Sequence, residues 1–259
     1  MKPALSVIKI GGNVIENNTE LTRFLKLFAA VEGPKILVHG GGKKATRLSE
    51  KLGIRTNMVG GRRITDKKSL EVAIMVYAGL INKSIVSRLQ AMECNAIGLS
   101  GADAGIIQAV KRPPAPVDFG FVGDIVSVRT NALCTFLDTG LVPVFCALTH
   151  DEKGQILNTN ADTIASELAI GLSKDYSTTL FYCFEKSGVL SDVEDDHSVI
   201  PHINKQTYYS LIKEKTIGEG MLPKLENCFH ALDHSVHKVC VGNIDMLQAK
   251  PSIFTTLTL

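Results

Sequence analysis

Two glycine clusters stand where chemistry on an anion would need them. Lys9-Ile10-Gly11-Gly12 closes the first apolar run of the chain, and His39-Gly40-Gly41-Gly42 closes the second. Each follows a strand-like segment, at 5–10 and 35–38. Glycine at the C-terminal end of a strand lets the backbone turn sharply and brings its N–H groups close to a negative charge. A single Gly-Gly in that place reads first as a tight βα turn. Two of them on neighbouring parallel strands, one carrying Lys9, put two amide clusters and a cation on one rim of a sheet. A travelling phosphoryl group calls for that arrangement, because its charge must be met by fixed donors and cations.

Two familiar nucleotide motifs are missing. In a Walker A loop Gly42-Lys43 would be followed by Ser or Thr and preceded by a glycine at position 37, but the chain has Lys44 and Leu37. The Rossmann G-x-G-x-x-G is also absent after the first strand, which reads Gly11-Gly12-Asn13-Val14-Ile15-Glu16 and so disfavours a nicotinamide enzyme.

The elements that must position these turns alternate between the two hydrophobic periods. Leu21, Phe24, Leu25 and Phe28 recur at helical spacing over 20–31, and a second helix is predicted over 43–52. Two βα units in succession make a parallel sheet with right-handed crossovers the default. Residues 54–65 read as a hairpin about Gly60-Gly61, and helices follow from a cap at Thr65 to 78 and from 82 to 92. A strand at 96–99 precedes a segment rich in Gly, Asp and Pro, with short strands at 106–110 and 124–128 that form a cover. The α/β rhythm returns with helix 130–138 and strand 142–145. It continues through helix 161–172, strand 179–182, helices 205–215 and 221–232, strand 238–241 and a closing segment at 252–256. The expected fold is α/β, an open and mostly parallel sheet between two helical layers, with a hairpin and a β-rich cover over one site. Its lobes are expected at 1–150 and 151–259 within one continuous fold.

Composition excludes several classes. The 259 residues carry 28 Lys plus Arg against 26 Asp plus Glu, so a net charge of +2 gives no field for nucleic acid or a membrane surface. The six cysteines show no C-x-x-C pair and mostly sit in apolar surroundings, which predicts buried reduced thiols and no zinc site. The strand that begins by residue 5 leaves no room for a leader, and the apolar run near 133–148 is broken by Asp138 and Pro143. A cytoplasmic protein is expected.

In order, Lys9-Ile-Gly-Gly, His39-Gly-Gly-Gly, Gly61-Arg-Arg-Ile-Thr65, Gly98 to Gly105, Gly120-Phe-Val-Gly-Asp124, Asn158-Thr-Asn-Ala-Asp162 and Gly220-Met-Leu-Pro-Lys224 resemble the amino-acid kinase family over about residues 5–255. Within it the resemblance is to the branch acting on N-acylated glutamate in arginine biosynthesis. It implies ATP as phosphoryl donor with Mg²⁺ on its phosphates, and the side-chain carboxylate of an N-acyl-L-glutamate, acetyl or succinyl, as acceptor. An ionised carboxylate needs no general base. The resemblance implies that Lys9 and Lys224 are catalytic, bridging the transferring group, and that Asp162 orients both. It places the acceptor on Gly41, Gly42, Arg63 and Asn158, and the nucleotide on Gly11, Gly12, Glu185, Ser187, Gly188 and Gly218. The acceptor and the dimer contact would belong to 1–150, and the nucleotide to 151–259.

Each of these residues has a plainer role open to it. Lys9 and Lys224 could be surface lysines, Asp162 a helix N-terminal acid worth roughly 0.3–1 kcal/mol, Asn158 a cap and Arg63 a solvated hairpin arginine. The chain departs from the family pattern twice. Gly60-Gly61-Arg62-Arg63 stands for the commoner Asn-Gly-Leu-Arg, and the added Arg62 would suit an acidic acyl group. Phe184-Glu185-Lys186 stands where relatives place Asp-Val, leaving the nucleotide contacts there open. Competing readings are another small-acid kinase of the family, acting on an acid such as carbamate, and a non-catalytic nucleotide or amino-acid sensor. Arginine-inhibited relatives carry an extra N-terminal helix, and the four residues before the first strand predict a homodimer insensitive to arginine.

Overall fold

The structure is a computed structural model that describes residues 2–60, 62–192, 194–213, 221–248 and 252–259. Strand β1 (Ala4–Ile10) turns at Gly11 into a short helix α1 (Gly12–Glu16), followed by α2 (Asn18–Ala30). Leu21, Phe24, Leu25 and Phe28 bury one face of α2, and the Asn17 side chain caps it by accepting from the N–H of Thr19 and Glu20. Strand β2 (Lys35–His39), buried throughout, runs parallel to β1 and ends in the second glycine turn, from which α3 (Gly42–Lys51) starts. The expected hairpin is β3 (Asn57–Val59) and β4 (Arg62–Ile64).

Next comes helix α4 (Lys67–Ile74), a π-helical segment (Met75–Ile81) and helix α5 (Asn82–Gln90). The residue pattern predicts two helices separated at 78–82; the chain instead stays helical, and the misfit is absorbed as the wider π turn. The cap is Asp66, which accepts from the Ser69 N–H at 2.7 Å, and not Thr65, which bridges to Gly120 in the cover. Taken whole, Lys67–Gln90 is 24 residues long and apolar enough to cross a membrane by length and composition, yet half of its apolar window is buried inside the protein.

Strands β5 (Ala96–Leu99), β6 (Ile107–Lys111) and β7 (Gly123–Val128) precede α6 (Asn131–Asp138) and β8 (Val142–Cys146). Two three-residue strands, β9 (Leu148–His150) and β10 (Ile156–Asn158), lead to α7 (Ala161–Leu172) and β11 (Ser177–Cys183). The chain closes with β12 (His202–Ile203), α8 (Lys205–Lys213), α9 (Leu222–Asp233), β13 (Lys238–Gly242) and β14 (Thr255–Leu257). The main sheet has the order β12-β14-β13-β11-β1-β2-β8-β5, parallel except for the β13/β14 pair. The predicted three-layer α/β architecture is therefore the observed one. The cover is a second sheet, β10-β9-β6-β7. β9 and β10 escape prediction because three residues are too few to display an alternation.

β1 decides where the chemistry sits. From it the chain moves to β2 on one side, while its other neighbour β11 leads on to β13, so the strand order reverses between β1 and β11. Ligands of open α/β sheets bind in the crevice at the carboxyl ends of strands at such a reversal. Alternation along β1 sends Leu5 and Val7 into one core with Ile164 and Leu168 of α7 and Leu225 of α9. Ile8 and Ile10 pack on the opposite face with Phe24, Phe28 and Val76. Both cores draw on residues from either side of position 150.

Candidate active site

Lys9 falls on the Leu5/Val7 face of β1, so its stem runs toward the starts of α7 and α9. Its Nζ lies 2.7 Å from Oδ1 of Asp162, the second residue of α7. Asn160 caps that helix, accepting from the N–H of Asp162 at 2.7 Å and of Thr163 at 3.3 Å. The buried Tyr182 hydroxyl donates to the Asp162 carbonyl at 3.1 Å, which holds the first turn of α7 against β11. Lys224 is the third residue of α9, and its Nζ stands 5.0 Å from the centroid of the Phe184 ring. Lys9, Asp162 and Lys224 together line a cavity of about 20 Å³, walled by Cys183 and Cys228. Burial pushes both thiols well above their ordinary range, so they remain protonated. Asp162 contacts Lys9 directly; Lys224 reaches the same cavity from the aromatic side.

Lys9 and Lys224 also line a groove of about 350 Å³ with Gly11, Gly12, Lys43 and Glu185. The Gly11 N–H donates to the Cys183 carbonyl at 3.1 Å and ties the first glycine turn to β11. A Cβ added to Gly12 would meet nothing within 4 Å, so the space beside the α1 N-terminus is open to an anion. Lys43 donates to the Asn13 side-chain oxygen and links α3 to α1. Ser187 and Gly188 lie further along the turn that carries Glu185. There Ser187 Oγ accepts from Asn243 at 3.2 Å, and a Cβ on Gly188 would come within 2.7 Å of Thr255 Oγ1. They build the turn against β14, while Glu185 and Lys186 face the groove. Gly218 lies outside the described residues.

On the other side of α7 opens a cleft of about 240 Å³, lined by Gly41, Gly42, Arg62, Arg63, Arg112 and Asn158. Gly41 is required by close approach: a Cβ there would sit 2.6 Å from both Tyr77 Cδ1 and Ile81 Cδ1. Arg63 is not a solvated hairpin residue. It is buried, and Nη2 donates to the Gly42 carbonyl at 2.9 Å and to Thr46 Oγ1 at 2.7 Å, while Nη1 donates to Thr56 Oγ1 at 3.2 Å. Asn158 donates from Nδ2 to Thr65 Oγ1 at 3.0 Å. Arg112 holds Asp124 through Nε at 3.0 Å and through Nη2, and stacks 5.6 Å from the Phe119 ring centroid. Tyr77 and Arg112 were missed from sequence, where a lone Tyr in a helix and an Arg before Pro113 carry no signal; Asp124 closes the Gly120–Asp124 motif but was given no role there. Gly120 seats the cover: its φ of +71° and the 2.3 Å that would separate a Cβ from the Thr65 carbonyl admit only glycine.

His39, under the second glycine turn, is fully buried, and burial lowers its pKa from 6.5 to about 4. The unfolded chain takes up this proton near 6.5 and the folded one refuses it until about 4. Stability from this residue is therefore complete above 6.5 and is lost as pH falls toward 4, by on the order of 3 kcal/mol. Unfolding followed across that window should show a steeper decline for the wild type than for His39→Asn.

A family model described as the amino acid kinase family matches residues 4–243. This chain belongs to that family. Among curated proteins, the acetylglutamate kinase of Phocaeicola vulgatus is 52% identical over 93% of this chain and 94% of its own length. The acetylglutamate kinase of Cytophaga hutchinsonii is likewise 52% identical, over 94% of this chain and 92% of its own. Amino acid kinase architecture extends to solved structures of low identity. N-acetylglutamate synthase from Neisseria gonorrhoeae, complexed with coenzyme A and N-acetyl-glutamate, superposes with a TM-score of 0.80 at 20% identity, covering 100% of this chain and 59% of that one. Carbamate kinase from Giardia lamblia bound to AMP-PNP gives 0.71 at 14% identity, covering 99% and 98%.

Proposed function

We propose that the protein transfers the terminal phosphoryl group of ATP to the side-chain carboxylate of an N-acyl-L-glutamate, giving an acyl phosphate in arginine biosynthesis. The observation that carries this reading is the shared cavity. Lys9 and Lys224 line both it and the groove beside the first glycine turn, while Asp162 belongs to a helix start whose neighbours Asn160, Ala161 and Thr163 line the arginine-rich cleft. A donor in the groove and an acceptor in the cleft meet at the two lysines. The relatives named acetylglutamate kinase supply the acceptor class.

The acceptor carboxylate is already ionised at neutral pH, so the protein has to position it and spread charge, with no proton to remove. Asp162 holds the Lys9 ammonium, and Phe184 supports that of Lys224. Both cations meet the phosphoryl oxygens as charge shifts from the donor to the new bond. The α1 N-terminus and Gly12 leave room for the donor's phosphates. Mg²⁺, carried on those phosphates and on water, would neutralise part of their charge. Arg63, with Asn158 in the same cleft, takes the α-carboxylate side of the acceptor.

An ADP-release assay with N-acetylglutamate, N-succinylglutamate, glutamate, aspartate and carbamate tests this. Release dependent on an N-acylglutamate is expected; release with carbamate alone would move the protein to another small-acid kinase, and nucleotide binding without release would make it a sensor. Arg62 lines the acceptor cleft beside Arg63, which favours an acyl arm bearing its own carboxylate. Arg62→Leu should shift the kcat/KM ratio toward acetyl- over succinyl-glutamate; an unchanged ratio would put Arg62 outside the acyl pocket.

The enzyme is proposed to work as a cytoplasmic homodimer. Six free thiols, five of them buried, suit a reducing compartment. β5 is an edge of the main sheet, and Met75 and Leu80 expose 52% and 59% of their surface on the adjoining helical stretch. Light scattering should report about twice the 28.0 kDa chain mass, and Leu80→Glu should shift it toward one.

A further inference from the structure

The second glycine turn needs its backbone held in one orientation, and the groups that could hold it are buried beneath it. Asn82 opens α5 just after the π segment, and its Nδ2 donates to the Val144 carbonyl at 2.9 Å. That bond settles which way the amide points, because the reverse orientation would set two oxygens against each other. The other Nδ2 hydrogen then faces His39 Nε2 at 3.1 Å, so Nε2 must be the acceptor. The ring proton is left on Nδ1, which donates to the Gly40 carbonyl at 2.8 Å. With Asn82 1% exposed and His39 0% exposed, water cannot substitute for either partner.

The Gly40–Gly41 peptide is trans, so turning its carbonyl down onto the imidazole turns the Gly41 N–H the opposite way. Gly41 lines the acceptor cleft, and the same π segment sets Tyr77 and Ile81 so close that a Cβ on Gly41 would sit 2.6 Å from each. We propose that Asn82 and His39 are positioning residues that aim the Gly41 N–H at the oxygens of the acceptor carboxylate and of the acyl phosphate formed from it. This rests on the function proposed above. The π turn has a purpose in this scheme: it brings Tyr77, Ile81 and Asn82 to bear on one glycine loop, which an uninterrupted α-helix would space differently.

His39→Asn and His39→Leu separate the possibilities. Asparagine carries an Nδ2 where the imidazole carries Nδ1 and keeps a donor for the Gly40 carbonyl; leucine keeps bulk but no donor. His39→Leu should lower kcat for acceptor-dependent ADP release by roughly 100-fold and raise the acceptor KM. The KM for ATP should stay unchanged, and His39→Asn should restore most of the loss. Asn82→Leu should behave like His39→Leu. If leucine variants do not fold, ¹⁵N NMR of the wild-type imidazole decides, the Nδ1–H tautomer being required and the Nε2–H tautomer overturning the proposal. Wild-type activity with a folded His39→Leu of equal kcat and acceptor KM would sink the positioning role alone. A wild type with no acylglutamate-dependent release would sink the functional reading first. Equal damage to the ATP and acceptor constants would make His39 a packing residue and nothing more.

Discussion

Lys9→Ala should lower kcat by roughly 2–4 kcal/mol of transition-state stabilisation while the KM for ATP changes little. The ammonium lies 2.7 Å from Asp162 and lines both the small cavity and the donor groove. Its attraction to phosphate is present in the ground state but strengthens as charge redistributes across the transferring group, so the loss falls on turnover. Lys224→Ala should act in the same direction, and the double variant should lose less than the sum, because both cations serve one set of oxygens. Single-turnover measurements at saturating ATP and acceptor read the chemical step directly. Near-normal turnover in Lys9→Ala would remove the basis of the proposed chemistry, since that lysine lines both the cavity beside Asp162 and the groove beside the first glycine turn.

Arg63→Ala should raise the KM for the acyl-glutamate by about 10- to 100-fold, as expected for loss of a charge-assisted hydrogen bond of about 1.5–3 kcal/mol, and leave the KM for ATP nearly unchanged. Thr46, Thr56 and the Gly42 carbonyl hold the guanidinium in place before any ligand arrives, so little side-chain entropy is lost on binding. Arg63→Lys should recover only part of the loss, because a point charge cannot keep three separate acceptors and the ligand together. Steady-state kinetics with each substrate varied in turn gives both constants. Parallel rises in the two would show that Arg63 supports the Gly42 turn for the whole site rather than the acceptor.

Much of the fold was legible because its signals are local. Strands buried on both faces read as apolar runs, α2 shows its four buried residues at helical spacing, and Gly11 and Gly41 mark where strands end. The continuous 67–90 helix was not legible. Thr65 is as good a cap by type as Asp66, and Gly79 with Asn82 imitates a boundary; only packing of Tyr77, Ile81 and Asn82 against β2 and its glycine turn favours the π turn over a break.

By itself the sequence determined the parallel α/β order and the two glycine turns at strand ends. Each of these depends on residue type and on a period of two or 3.6 along the chain. The tertiary structure alone decided that Lys9 meets Asp162 across 153 positions rather than pointing to solvent, and that Lys224 reaches the same cavity over Phe184. It also decided that Arg63 is buried in a cradle of Thr46, Thr56 and the Gly42 carbonyl, and that Arg112 and Asp124 line the same cleft as Arg63. The physical reason is that charge and hydrogen bonding act through space: their partners are chosen by where the sheet order reverses and how the cover folds back, and no spacing along the chain records either.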